Sequence, residues 1–122
     1  MRDHSKLKAF QLADEIALST YRITKLFPKD EIYGMTSQMR RAAVSVPSNI
    51  VEGCARESQT EYLRFLEIAY GSLRELDYQF GLAKRLGYMN GLNDSPLECK
   101  INEAQKVLGG LIRSMRVTPK RL

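Results

Sequence analysis

The 122-residue sequence has no tryptophan, a single histidine and two cysteines, and each shortage excludes a class of chemistry. Nucleophilic catalysis needs a base beside the nucleophile, and the one histidine, His4, stands near the chain start. Carboxylate metal chemistry in a helical bundle needs Glu-x-x-His pairs, and no histidine follows a helical glutamate here. Cys54 and Cys99 have no CxxC spacing and no neighbouring histidine, which argues against zinc and against a disulfide scaffold; both are expected to be core or surface thiols. No apolar run approaches the roughly 20 residues that cross a bilayer. Met1-Arg2-Asp3-His4-Ser5-Lys6 lacks the apolar stretch of a signal peptide. A soluble, cytoplasmic protein with no cofactor, no bound metal and no membrane contact is the expectation, and an enzyme is rejected.

What is present suits one domain. A chain of this length buries enough surface to support its own core, and 43% hydrophobic with 27% charged residues is an ordinary globular balance. Nineteen Lys and Arg against fourteen Asp and Glu give a net charge of +5, which permits contact with nucleic acid. The excess is greatest from residue 93 onward, where six basic residues face three acidic ones, and Arg113, Arg116, Lys120 and Arg121 run into a basic tail at 117–122.

Turn residues divide the chain into four stretches of helical length, about 6–27, 35–56, 58–87 and 95–116, and none alternates as a strand would. Phe10, Ala13, Ala17, Thr20, Thr24 and Phe27 step by threes and fours along the first, with Ile16 and Ile23 on an adjacent row. Tyr62, Leu66, Ala69, Leu73, Leu76, Phe80 and Ala83 do so along the third, and Leu97, Ile101, Ala104, Leu108, Leu111 and Met115 along the fourth. One apolar seam per helix and short links predict an all-α, antiparallel up-down-up-down four-helix bundle. Ser58 and Glu61 form a capping-box pattern for the third helix, and Asp94-Ser95-Pro96 opens the fourth.

The second helix is the unusual one. Met35, Met39, Ala43, Val46, Ile50 and Cys54 supply its core stripe, yet Pro47 interrupts it, which predicts a kink near residues 43–47. Beside that stripe runs a polar row, Gln38, Arg41, Ser45, Asn49, Glu52 and Arg56, in which Glu52 and Arg56 can pair across a turn. Such a row reads either as a solvated face or as an interface. Short, poor helix formers such as Ser45, Ser48 and Asn49 favour an interface, because they let another helix approach. Gly71, Gly81 and Gly109-Gly110 inside later helices point the same way.

Thr36-Ser37-Gln38-Met39-Arg40-Arg41-Ala42-Ala43, followed by Ser48-Asn49-Ile50-Val51-Glu52-Gly53, Glu61-Tyr62-Leu63-Arg64-Phe65-Leu66 and Gly71-Ser72-Leu73-Arg74-Glu75-Leu76, resembles the four-helix-bundle family of bacterial 23S rRNA intervening-sequence proteins. The likeness runs from about residue 6 to about residue 115 and includes Leu7-Lys8-Ala9-Phe10 and Phe27-Pro28. The resemblance implies an antiparallel bundle assembled into a ring-like homopentamer. The family is also similar to the accessory variability proteins of diversity-generating retroelements, which bind nucleic acid and a reverse transcriptase. The family pattern matches at Ser37, Gln38, Arg40, Arg41, Ser45, Asn49, Glu52, Gly53, Arg64, Gly71, Ser72 and Glu75, and it carries no catalytic assignment.

Binding therefore remains as the function class. An oligomeric RNA-binding or rRNA-associated protein would use Arg40, Arg41, Arg64, Arg74, Lys84, Arg85, Arg113, Arg116, Lys120 and Arg121 against phosphates. Tyr62, Tyr70, Tyr78 and Tyr88 could stack on bases, although packing is the commoner role of such rings. Gln38, Ser45, Asn49, Glu52, Gly71 and Glu75 are the candidate subunit interface. The alternatives are an adapter for a protein such as a reverse transcriptase, or a purely structural oligomer whose arginines are spent on salt bridges between subunits.

Overall fold

The computed structural model describes residues 2–91 and 95–117. Four helices carry the fold, α1 (Lys8–Thr24), α2 (Met35–Cys54), α3 (Gln59–Arg85) and α4 (Ser95–Val117), and the described residues contain no strand. Single 3-10 turns at His4–Lys6 and Lys29–Glu31 precede α1 and α2. The ends of α2, α3 and α4 lie within two residues of those expected, the normal scatter of fraying termini. α1 is shorter than the expected 6–27. Phe27 precedes Pro28, and a proline drives the residue before it out of helical geometry, so the helix stops ahead of a ring that is nonetheless buried.

Local chemistry sets the boundaries. Ser58 Oγ accepts the Glu61 amide at 3.0 Å and caps α3. α3 closes with Gly87 at φ +84°, while the amides of Gly87 and Tyr88 return to the carbonyls of Lys84 and Ala83, a Schellman closure that needs glycine. The Asp94 cap expected for α4 lies outside the described residues. α2 takes its cap from the preceding turn: Glu31 Oε1 accepts the Met35 amide at 2.8 Å, and Glu31 Oε2 accepts the Tyr88 hydroxyl at 2.6 Å. A Cβ on Gly34 would stand 2.6 Å from Glu31 Oε1, so the bare backbone there leaves room for this cap.

Each helix packs on its chain neighbours and α4 closes onto α1, while the backbones of the diagonal pairs stay further apart among the described residues. Arg2 at the chain start donates to the Arg56 carbonyl after α2, Arg40 early in α2 reaches Thr24 at the end of α1, and Lys84 late in α3 reaches Glu98 early in α4. Neighbouring helices are therefore antiparallel, and the architecture is the up-down-up-down four-helix bundle.

The expected seam of α3 is buried throughout, from Tyr62 to Ala83. That of α2 is buried from Met39 to Cys54, with Met35 half-buried. α2 runs through Pro47 as one helix, from Met35 to Cys54, without restarting there. In α4 the buried row passes from Leu108 to Ile112 rather than to Leu111, which is half-buried together with Met115. A straight helix drifts about 20° per heptad against a strict seven-residue repeat, and this is that drift.

α1 requires a larger correction. Its buried row is Ala9, Leu12, Ala13, Ile16, Thr20 and Thr24, and Phe10 and Ala17 are only half-buried. The ring of Phe10 is covered instead by the first turn, where His4 meets it edge-on with centroids 4.7 Å apart. The two buried threonines remain satisfied because Thr20 and Thr24 donate to the carbonyls four residues earlier, at 2.8 and 2.7 Å.

α2 and α3 share the most extensive contact. A Cβ on Gly53 would stand 2.9 Å from Phe65 Cβ, which shows how close the two helices come at that end. Midway, the hydroxyls of Ser45 and Ser72 bond across the contact at 2.8 Å.

Candidate nucleic-acid interface

Several of the sequence-predicted cations are neutralised within the chain. Lys84 pairs with Glu98 at 3.2 Å and Arg116 with Glu67 at 2.6 Å. Arg74 lies 3.9 Å from Asp77 and bonds Gln105 Oε1. Arg40 is half-buried; its Nε donates to Thr24 Oγ1 at 2.8 Å and its guanidinium lies 4.6 Å from the centre of the Tyr21 ring. Arg41 is exposed, and its partner Gln38 Oε1, at 2.6 Å, is neutral, so its charge is not cancelled there. Arg64, Arg85 and Arg113 are exposed. Lys120 and Arg121 lie outside the described residues. The eight described cations thus do not converge on one site; they are spread over α2, α3 and α4.

The structure gathers a different set at the corner where α1 turns into α2. A groove of about 640 Å³ is lined by Tyr21, Ile32, Tyr33, Thr36, Arg40 and Arg41, among others. Beside it a smaller groove of about 430 Å³ shares Ile32, Thr36 and Arg40 and adds Lys25 and Lys29. No carboxylate lines either groove. The α1–α2 groove at the opposite end differs, being lined by Asp14, Glu52 and Arg56. Tyr33 is 94% exposed and Tyr21 42%.

Of the tyrosines named from sequence, Tyr62 is buried, Tyr70 and Tyr88 are half-buried, and Tyr78 is exposed. Tyr21 and Tyr33 were missed because heptad counting selects seam positions. Tyr33 stands in a connector beside Gly34, and Tyr21 lies off the buried row of α1. An aromatic residue that no seam claims, close in sequence to uncompensated cations, was the available signal.

The candidate interface residues divide similarly. Ser45 and Asn49 are half-buried; besides the bond to Ser72, Asn49 Nδ2 donates to the Ser45 carbonyl at 2.8 Å. Glu52 pairs with Arg56 at 2.7 Å, and Gln38 holds Arg41. Gly71 and Glu75 are exposed on the outward side of α3. There Arg64, Ile68, Gly71, Glu75, Tyr78 and Leu82 repeat by 4-3-4-3-4, a second seam with exposed Ile68 and Tyr78. Cβ atoms added at Gly71 or Gly81 would meet nothing within 4 Å, whereas one at Gly109 would touch Tyr70 at 3.5 Å.

A few of the described ionisable groups depart from their ordinary values. The hydrogen bond from Tyr88, then that from the Met35 amide, holds the Glu31 carboxyl below the usual glutamate value, and the same bond raises the Tyr88 phenol. Burial pushes up the Cys54 thiol, against Tyr62, and leaves it a packing group rather than a nucleophile. Cys54 is buried, Cys99 exposed, and both are free thiols. The described residues bring no three metal-ligating side chains together. No helix among them is long and apolar enough to cross a membrane.

This geometry defines a small basic antiparallel four-helix bundle with cation-lined grooves at its α1–α2 corner. The chain belongs to the 23S rRNA-intervening sequence protein family, whose sequence profile matches residues 5–110. It is similar in fold to the crystal structure of a protein of unknown function from the S23 ribosomal protein family of Bacteroides thetaiotaomicron, with TM-score 0.77 and 22% identity over 86% of this chain and 95% of that one. None of the curated proteins compared with the chain matches it.

Proposed function

We propose that the protein is a non-catalytic, self-assembling RNA-binding bundle. The observation that carries the reading is the α1–α2 corner, where Lys25, Lys29, Arg40 and Arg41 line adjoining grooves without a carboxylate among them. Several cations elsewhere lie beside acids, as Lys8 does with Glu103 and Arg116 with Glu67. A cation cluster left uncompensated in a chain of net charge +5 suits a polyanion, and membership of a family named for an rRNA insertion makes RNA the polyanion of choice.

Assembly is supported by the outward seam of α3. Exposed Ile68 and Tyr78 flank Gly71, whose missing side chain serves no contact within the subunit. A second helix laid along this row would bury apolar surface and could approach closely at the glycine. By resemblance the assembly is a ring of five, and repetition around a ring would multiply the cationic field.

Mobility shifts with structured rRNA fragments test the RNA reading. Binding is expected at low salt and should fall steeply as salt is added; absence of any shift at low salt and micromolar protein would end the reading. Native mass spectrometry is expected to give one closed multimer, and a stable monomer would end the assembly reading. Arg41→Glu should abolish RNA binding by an intact oligomer. Loss of the oligomer instead would make Arg41 an interface residue.

A further inference from the structure

We propose that the groove between the end of α1 and the start of α2 binds unpaired nucleotides, with the Tyr33 ring as a stacking platform and Arg41 as the phosphate contact. This rests on the RNA reading above and specifies it: the ligand is single-stranded RNA rather than duplex.

The argument begins with Tyr33. Its ring is 94% exposed and contributes almost nothing to the bundle core, yet the turn that displays it is firmly held. Two residues before it, Glu31 is bonded at once to Tyr88 and to the Met35 amide, which pins the α1–α2 connector to the segment after α3 and to the start of α2. A flat apolar face on a fixed turn is already ordered before a ligand arrives, which lowers the entropic cost of binding. Ile32, 48% exposed, and Tyr21 extend the apolar surface along the same groove.

The cations are arranged around this surface in two different ways. Arg40 is fixed by Thr24 Oγ1 and the Tyr21 carbonyl and covers a face of the Tyr21 ring, so Tyr21 is a braced wall with a stationary charge. Arg41 is exposed and held only by a neutral amide, leaving its charge available to a phosphate. Volumes of about 640 and 430 Å³ in adjoining grooves are within the range of small-ligand sites and give room for a nucleotide and its neighbour.

A ligand complementary to this groove must offer flat π faces and anionic groups in alternation, which is the covalent pattern of a nucleic-acid strand. Duplex nucleic acid does not fit as well, because its base faces are already stacked on one another and only phosphates and groove edges remain for the protein. Arginine beside a stacking aromatic is the combination that single-strand binders use.

The test is fluorescence anisotropy at low salt with a labelled short oligouridine and with a duplex RNA of equal length, on the wild-type protein, Tyr33→Ala and Tyr33→Phe. Circular dichroism and native mass spectrometry of each variant accompany the titrations. Tyr33→Ala is expected to weaken the single strand by roughly 5- to 100-fold, the range of one lost stacking contact. It should leave duplex binding, helicity and assembly unchanged, and Tyr33→Phe should retain wild-type affinity because the ring is kept. Strand binding by Tyr33→Ala equal to wild type would overturn this site while leaving the RNA reading standing. Failure of the wild type to bind either RNA would remove both. A changed assembly state in Tyr33→Ala would make the ring a subunit contact and overturn the proposal. So would polyglutamate bound as tightly as the strand and equally dependent on Tyr33, which would assign the groove to an acidic protein segment.

Discussion

The two sides of α3 carry the same kind of row and do opposite things with it. Toward the bundle core the helix presents Leu66, Ala69 and Leu73, all fully buried, and at its contact with α2 the partner helix brings Gly53 so near that an added Cβ would collide with Phe65. Away from the core it presents Ile68, Gly71 and Tyr78 at the same heptad spacing, and an added Cβ at Gly71 would meet nothing. A helical glycine by itself therefore does not report close approach; the distance to the neighbouring backbone does. The inner glycine is accounted for by a contact inside the subunit, and no contact inside the subunit accounts for the outer one.

The sharpest test of that contrast compares Leu73→Ala with Tyr78→Ala. Leu73 is wholly buried, and its truncation should cost about 2–5 kcal/mol of unfolding free energy. Tyr78 is exposed in the subunit, and its truncation should cost about 0.5 kcal/mol or less. Urea titrations followed by circular dichroism measure both. Equal losses would break the contrast, since they would mean that the outer row is as fully packed in solution as the inner one.

The glycines give the next largest difference, and here the signs should oppose. Gly53→Ala forces a methyl group against Phe65 and should destabilise by about 1–3 kcal/mol. Gly71→Ala fills open space and removes a residue that disfavours helix, so an isolated subunit should gain up to about 1 kcal/mol. Native mass spectrometry of Gly71→Ala then separates the outer face from plain solvent: a weakened multimer is expected from a helix that packs on the glycine, and an unchanged one would detach Gly71 from assembly.

Much of this architecture was legible in the sequence, and the failures have physical causes. The seam of α3 and the Ser58 cap depend only on local spacing and chain chemistry, and both are found where expected. In α1 the expected Ala13, Thr20, Thr24 and Phe27 are buried, but Phe10 and Ala17 are only half-buried, and the Phe10 ring meets His4 from a turn that spacing cannot foresee. The bond between Ser45 and Ser72 joins residues 27 positions apart, so the short side chains of α2 could be recognised as a place of close approach without naming the helix that approaches. The corner of cations and tyrosines was hidden for the same reason: Tyr21, Tyr33, Lys29 and Arg41 meet only after the α1–α2 link has turned back.

Within the inner contact, the serine pair should matter less than the glycine. Ser45→Ala removes one partner of a 2.8 Å bond between half-buried hydroxyls and should cost about 0.5–1.5 kcal/mol. Replacing both Ser45 and Ser72 by alanine should cost little more than the single change, because the second hydroxyl no longer has a bond to lose. Fully additive losses in this double-mutant cycle would show that the two hydroxyls act independently and that the helices are held together there by packing alone.

The smallest effect is expected at the other end of the same contact, where Glu31 before α2 meets Tyr88 after α3 in a part-buried bond. The Tyr88 hydroxyl first, and the Met35 amide second, hold this carboxyl below the ordinary glutamate value. A carboxyl depressed on folding contributes stability that is complete above its unfolded value and is lost as pH falls through its folded value. Glu31→Gln lacks the charge and hence that pH-dependent part. The melting-temperature gap between wild type and Glu31→Gln should be widest near neutral pH and close as pH drops below the usual glutamate range. Tyr88→Phe removes the larger cause of the depression, so its own acid loss of stability should be smaller than that of the wild type and complete at higher pH. A gap that stayed constant with pH would mean that the charge on Glu31 does not hold the start of α2, and the polar latch would then be an ornament on a contact closed entirely by Gly53, Phe65 and the leucines of α3.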